Sequence, residues 1–512
     1  PGLVAQNMAH LVEFGGAIDV DRFVRAIEQV VRSSDVLRTR LAAHERSQVI
    51  VALRPTAETT VHDVARDDIV SWAEAIAAEP IDLTSGVYRS AIAVHDDGRV
   101  SWVLAVHHIA TDARTAAMLI DRTIDAYHGI DPAPSEFYDW AERVERALDP
   151  DGRTSRFWAQ RSPRERTGRL YGAVDRTSRS ASRIPVELSD LRDALEHRLA
   201  DDYRMLTDEM AWSVVLVAAT AVYQHRLTGA TEFSIGMPVQ HRRGDTAELV
   251  GPVMGVYPID VDLDPATTYR QLHRDIARSI MTTIRRADPA IAAPADYDAV
   301  VNVISAATPR NTNLEFTNRW LHVGEIDPEH LLRVQLTRFG SDGELPTEPQ
   351  LLLDLHDQAA PPGDVTRAAA HFRSVLRALV DEPDEVIAAG TLCTPDEVRS
   401  IESAAVTDDL PASESSLAEQ LQVRLQGDER PALVARDEVI TGDELWRWVS
   451  TLANDIVATT PEQARLGIGL SPSVEAVVAI YATLLSGRSF VPLDPSQPSE
   501  RRRGLIERAQ LS

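Results

Sequence analysis

Val100-Ser101-Trp102-Val103-Leu104-Ala105-Val106-His107-His108-Ile109-Ala110-Thr111-Asp112-Ala113 is the stretch on which the reading of this chain turns. Val100, Trp102, Leu104 and Val106 alternate with smaller residues, the period of a half-buried strand. Beyond it Ala116, Ala117, Leu119, Ile120 and Ile124 recur at helical spacing. Two adjacent histidines therefore sit where a strand gives way to a loop, with a carboxylate four residues past the second, near a helix start. A rigid strand can deliver an imidazole to a cleft edge while the loop turns it toward a substrate.

Working outward, Val87 to His107 predicts a hairpin, with Asp97-Gly98 as its tight turn. Upstream, Asp19 is a predicted N-cap for a helix whose apolar face is Phe23, Ile27, Val30 and Val31. Glu136 to Gln160 is aromatic-rich, and Arg161 to Arg183 turns polar, as expected of a connection between two lobes. The second lobe opens on the most apolar helix, Asp208 to Arg226, stopped by Gly229. Strands are expected at Phe233–Pro238, Val250–Leu263, Ala299–Ser305 and Gln350–Leu355, and an amphipathic helix at Ala368–Val380. Ser403 to Ser416 is small, acidic and proline-bearing, the composition of a linker. Leu417 to Ser512 looks α/β, with a helix at Val474–Leu485 and a strand at Ser489–Leu493, and stops without a closing element.

With 512 residues the chain has room for about three folding units. Its net charge of −26 argues against a nucleic-acid partner, because phosphate binding needs clustered positive charge. All 52 basic residues are arginine. One cysteine, Cys393, excludes a disulfide framework and a multi-cysteine metal site. No apolar run is long enough to span a membrane and no signal peptide opens the chain, so a cytoplasmic piece of a larger protein is expected.

Taken alone, the histidine pair leaves bland readings open: satisfied polar residues at a strand end, with Asp112 capping the next helix. Adjacent histidines on an extended segment point to opposite faces, which disfavours a shared metal ion. There is no GxSxG elbow for a serine nucleophile, and Cys393 sits beside Thr394-Pro395 as an incidental thiol. What remains is an imidazole that orients or deprotonates a nucleophile attacking an acyl carbon, with Asp112 holding the loop through an arginine or backbone amides.

At this point a family resemblance emerges. His107-His108-x-x-x-Asp112 resembles the HHxxxDG signature of the condensation domains of nonribosomal peptide synthetases, relatives of chloramphenicol acetyltransferase. Asp35-Val36-Leu37-Arg38-Thr39-Arg40-Leu41 is similar to the second half of RHExLRTxF, and Tyr138-Asp139-Trp140-Ala141 to YxDYAxW. Leu227-Thr228-Gly229 with Ile235-Gly236-Met237-Pro238-Val239 is similar to LTG…VGTPVAGR, and Val250 to Val256 to VGxFVNT. Order and spacing match over about residues 1–402, without the family's first short strand. In the tail, Ile440-Thr441-Gly442-Asp443-Glu444-Leu445 and Leu484 to Pro495 resemble the LTYxEL and LKAGxAYVPLDP motifs at the start of an adenylation domain. No glycine-rich phosphate loop follows them, and no lysine exists to meet an adenylate.

The resemblance implies an α/β fold of two chloramphenicol-acetyltransferase-like lobes, a V-shaped pseudo-dimer around a central tunnel. The implied divisions are 1–165 and 166–402 for the lobes, 403–416 for the linker and 417–512 for an incomplete adenylation-domain fragment. It implies an acyltransferase that joins a donor acyl or peptidyl thioester to the amine of an acceptor aminoacyl thioester. Upstream and downstream carrier domains would present both on phosphopantetheine arms, with no metal or cofactor bound to the chain itself. The remainder of the adenylation domain is a further implied partner. His108 matches the histidine credited with acting on the amine; His107 and Asp112 match its supports. Ala113, Met254, Gly255 and Tyr257 are placed near the tunnel and Arg38 in a structural role. Four features depart from the pattern: Ala113 for the signature glycine, Ser33-Ser34 for Arg-His, Gly255 for asparagine, and no recognisable HQDxPFE stretch after Arg286. They keep two other readings in play, a non-catalytic relative that recruits a tailoring enzyme and an altered acyl transfer giving an ester or a ring.

Overall fold

The computed structural model describes residues 4–42, 48–50, 59–146, 152–191, 193–195, 207–307, 314–340, 349–405, 415–435, 438–495, 497 and 499–511. They form two compact units, Pro1–Ser400 and Ile401–Ser512.

The first unit begins with β1 (Asn7–Phe14) and α1 (Val20–Ser33), which Asp19 caps by accepting the Arg22 amide. A short ladder of β2 (Thr39–Leu41) and β3 (Gln48–Ile50) follows, then β4 (Thr60–Asp63), α2 (Ile69–Ala77), β5 (Tyr88–Val94) and β6 (Val100–His107). Gly98, at φ 78°, makes the β5–β6 turn. Three helices come next: α3 (Ala113–Tyr127), α4 (Phe137–Arg146) and α5 (Arg153–Gln160).

The second half supplies β7 (Ala181–Val186), α6 (Asp208–Thr228), β8 (Glu232–Gln240), β9 (Met254–Asp262), α7 (Tyr269–Arg286) and β10 (Tyr297–Ala307). After these lie β11 (Phe316–Trp320), β12 (Leu332–Gly340), β13 (Gln350–His356), α8 (Arg367–Asp381) and α9 (Pro395–Ala405). Two mixed sheets result, in the orders β11-β1-β6-β5-β4 and β7-β13-β12-β10-β8-β9.

Three sequence expectations need correction. First, β6 is buried along its whole length rather than on one side. Val100, Trp102, Leu104 and Val106 pack toward α1 and α3, while Val103 and Ala105 share a core with Ile69, Ala73 and Ala77 of α2. The small alternate residues meet a second layer of protein where water was expected. Second, the two halves of the chain do not keep to their own sheets. β11, from the second half, pairs antiparallel with β1, covering an edge that would otherwise stand open. Third, Ser403–Ala405 are still helical, in α9, and most of the expected linker lies outside the described residues.

The polar stretch after α5 is tied down by charge. Arg161, its side chain 7% exposed, pairs with Asp260 and Asp296, and Arg176 pairs with the buried Asp298. Helix α6 is buried nearly all round, as its lack of a polar face demands, and ends at Gly229 with φ 74°.

The second unit holds α10 (Leu417–Leu425), the hairpin β14 (Pro431–Ala435) and β15 (Glu438–Thr441), α11 (Gly442–Thr459), β16 (Arg465–Ile468), α12 (Val474–Leu485), β17 (Ser489–Pro492) and α13 (Ser499–Ala509). Thr441 and Glu444 form a reciprocal capping box at the start of α11. The parallel β16–β17 pair is linked through α12, a βαβ unit. Among the described residues no helix is long and apolar enough to cross a membrane.

Candidate active site

Two backbone bonds anchor the end of β6. The His107 amide donates to Val87 O at 2.8 Å and the His108 amide to Gln6 O at 2.7 Å, so the turn hangs from the residues preceding β5 and β1. The His107 ring folds back on the turn, its Nδ1 accepting the Ile109 amide at 3.1 Å. This consumes the ring locally; His107 is buried and braces the turn. His108 faces the other way, into a cavity of about 440 Å³ lined by both sheets. That volume is in the range of a small-molecule site.

Asp112 is fully buried and does three things. It caps α3 through the Thr115 amide (2.7 Å), accepts the Val253 amide (2.9 Å), and takes both oxygens to the Arg242 guanidinium at 3.0 Å. Arg242 also donates to Thr115 Oγ1 and to the carbonyls of Leu249 and Gly251. Gly251 is at φ 149°, and a Cβ there would lie 2.2 Å from the Phe137 ring, so no other residue fits. One buried ion pair thus clamps the histidine loop of the first half of the chain to the β8–β9 connection of the second. The sequence leaves this role to an arginine or to backbone amides, and Asp112 uses both. The signal was present: Arg242 stands where VGTPVAGR ends in arginine.

Ala113, the first residue of α3, lines the cavity, and its methyl group packs with Met8 and Ile304 beside Trp320. Its backbone is helical and does not call for glycine; among the described residues, the only non-glycine with positive φ is Gln510. Ala113→Gly is therefore expected to relieve no strain and to lower stability by about 0.5–1 kcal/mol through lost packing and chain entropy. Urea unfolding monitored by tryptophan fluorescence checks this.

Met254 lines the cavity, as does Val256 two residues on. Gly255 and Tyr257 do not, which corrects the sequence expectation. Alternation along β9 turns them to the opposite face, where Tyr257 is 2% exposed, packs against Trp158 and donates its hydroxyl to Asp288 O. A Cβ on Gly255 would come within 2.8 Å of the Tyr257 ring, so the glycine and the tyrosine go together. Arg38 is also absent from the cavity lining. Its Nε–H holds Ser34 O, beside Asp35, to which sequence reading gave no role. The carboxylate of Asp35 accepts the Phe137 and Tyr138 amides at 2.9 and 3.0 Å, and Thr39 Oγ1 meets Tyr138 Oη at 2.8 Å. These bonds join the two motifs that contain Arg38 and Tyr138.

Burial dominates the electrostatics of the cavity. It lowers the pKa of His108 below the ordinary imidazole value; the charge of Asp112 opposes the shift and that of Arg333 adds to it. His108 is therefore a neutral imidazole at pH 7, its ring bonded to the backbone of His108 and Thr111. Burial also pushes His107, His10 and His330 down to about 4. In the unfolded chain these imidazoles take up protons near pH 6.5, but the folded protein does so only near 4. Between those values the unfolded state binds more protons, so their contribution to stability is complete above about pH 6.5 and is lost as pH drops toward 4. The urea midpoint is expected to be flat from about pH 8 to 7 and to fall from about pH 6.5 to 4.5.

No group of three or more His, Cys, Asp or Glu among the described residues is placed to hold a metal. The arrangement offers a neutral base on a braced turn, facing an enclosed chamber between two lobes.

Comparison with known proteins agrees with this geometry. Residues 3–296 match the family model of the condensation domain. The isonitrile lipopeptide synthase of Streptomyces coeruleorubidus is 24% identical over 546 residues, which covers 100% of this chain and 36% of the relative. The chain thus spans about a third of that relative's length. Among solved structures, the starter condensation domain of rhizomide synthetase is 18% identical with a TM-score of 0.62, over 76% of this chain and 93% of that one. The X-domain from teicoplanin biosynthesis is 17% identical, also with a TM-score of 0.62, over 75% and 92%. Two lobes of chloramphenicol-acetyltransferase type, a braced histidine turn and the family match agree: this chain belongs to the condensation domain family.

Proposed function

We propose that the first unit forms an amide bond between a donor acyl or peptidyl thioester and the amine of an acceptor aminoacyl thioester, as a step of nonribosomal peptide assembly. Both substrates arrive on the phosphopantetheine arms of carrier domains, the donor's upstream and the acceptor's downstream. The observation that carries this reading is His108: a neutral imidazole facing a chamber walled by both lobes, on a turn fixed by Gln6, Val87 and the Asp112–Arg242 clamp.

In the step itself the acceptor nitrogen attacks the donor carbonyl carbon. A C–N bond forms and the C–S bond breaks. His108 accepts the proton that the amine sheds and returns it to the departing thiolate, so the imidazole ends neutral. No covalent enzyme intermediate is required. Burial of His108 keeps the proton-free form available at neutral pH. The second unit is read as the start of an adenylation domain, whose remainder is a further partner; the alignment with the lipopeptide synthase extends through it.

The test loads donor and acceptor carriers and follows amide formation by intact-protein mass spectrometry. Product above the enzyme-free background supports the reading. Background-level product overturns it in favour of a non-catalytic relative that recruits a tailoring enzyme. An ester or cyclic product would instead mark altered acyl transfer.

A further inference from the structure

A row of charge crosses the second sheet beneath the chamber. Val300 of β10, Arg333 of β12, Asp354 of β13 and Arg183 of β7 stand in register on four successive strands, and all four line the cavity. Two guanidiniums therefore flank one carboxylate. The division between them is unequal. Arg183 takes both oxygens of Asp354, at 2.7 and 2.9 Å, and the Gln335 amide donates to the same carboxylate. Asp354 is 2% exposed, so its charge is held by partners already in place.

Arg333 is left over. Its side chain makes no hydrogen bond or ion pair with any described residue; burial lowers its pKa, and the charges of Asp354 and Asp327 oppose that shift. The other carboxylates of the chamber are engaged elsewhere. Asp327 accepts from the Gln6 side chain at 2.6 Å and from the Glu329 amide, and Glu325 accepts the Ala5 amide. Glu209 feels the charges of Arg114 and Asp208, with Arg333 not among them. A half-buried guanidinium in a cavity wall, with no side-chain partner of its own, can take a ligand anion through charge-assisted hydrogen bonds.

We infer that Arg333 is a recognition site for a carboxylate carried by the substrate itself, next to its reacting amine or acyl carbon. The location favours the reacting end, since Arg333 and His108 line the same chamber. The negative charges of Asp327 and Asp354 beside Arg333 disfavour a dianion, so a monoanionic carboxylate fits better than a phosphate. The carboxylate belongs to an acidic acceptor side chain or to a dicarboxylic donor acyl group.

This inference rests on the chamber being the substrate site proposed above, and its test needs no catalysis. Four non-hydrolysable pantetheine amides, lacking the phosphate, are titrated into the full chain by calorimetry. The glutamyl and glutaminyl amides are the acceptor pair; the succinyl and succinamoyl amides are the donor pair. The expected result is that one acidic probe binds at least tenfold more tightly than its neutral partner, and which pair discriminates names the source of the carboxylate. Arg333→Gln should erase the preference while leaving the neutral probe within twofold, and Arg333→Lys should retain part of it. Equal binding within both pairs by the unaltered protein, no binding by any probe, or a preference that survives in Arg333→Gln overturns the inference. A chain that discriminates the probes yet makes no amide would refute the proposed activity and leave the site standing.

Discussion

His108→Ala is expected to slow amide formation by about 10²–10⁴-fold, the range of a lost general base, while the urea midpoint stays nearly unchanged. The separation of the two readouts follows from geometry. The turn is held by the backbone amides of His107 and His108, by the His107 ring and by Asp112, and alanine at 108 keeps all of these, losing only the bonds of the His108 ring to the His108 and Thr111 backbone. What it removes is the only imidazole that the turn presents to the chamber. His107→Ala should behave in the opposite sense, with a clear loss of stability, because its ring closes the turn from a buried position. The pH profile gives a second check. Since burial lowers the His108 pKa, the rate should stay level as pH falls to about 6.5 and decline only below it. A His108→Ala protein within threefold of the parent rate would show that the chamber works by alignment of the substrates alone.

How much of this was legible in the sequence depends on the kind of signal each residue carries. The strand, turn and helix around His108 were readable because apolar period and polar punctuation agree over a long window, and Asp112 does cap α3. The placement of β11 in the first sheet was not, because Phe316–Trp320 is five residues long and its pairing with β1 is set by tertiary contact. Tyr257 was misplaced for a simpler reason. The resemblance puts both Met254 and Tyr257 near the tunnel, but an odd separation along a strand reverses the face. Arg242 could have been named from the motif that ends on it. Arg333 and Asp354 belong to no motif, yet each breaks a short apolar run, Leu331-Leu332-Arg333-Val334 and Leu351-Leu352-Leu353-Asp354-Leu355. A charge in such a run must find a partner or a ligand, and that is a signal that needs no alignment.

Asp112→Ala is expected to be the most destabilising single substitution in the first unit, costing about 3–5 kcal/mol, the range for removing one member of a buried ion pair. The side chains of Asp112 and Arg242 are 0% and 7% exposed, so water cannot replace the lost partner. The substitution also deprives the Thr115 and Val253 amides of their acceptor and uncaps α3. Asp112→Asn should be milder, because asparagine can still cap α3 while losing the charge. Arg242→Ala alone leaves the carboxylate two backbone donors, so its cost should be smaller than that of Asp112→Ala. In the double variant no orphaned charge remains, and the combined loss should fall short of the sum of the single losses by at least about 1 kcal/mol. Urea denaturation of all four proteins measures this, and strict additivity would refute the clamp. Because Asp112 belongs to the His108 loop and Arg242 to the β8–β9 connection, activity should fall with stability in Asp112→Ala. A substrate-independent loss of rate in folded Asp112→Asn would then report the orientation of His108 rather than its chemistry.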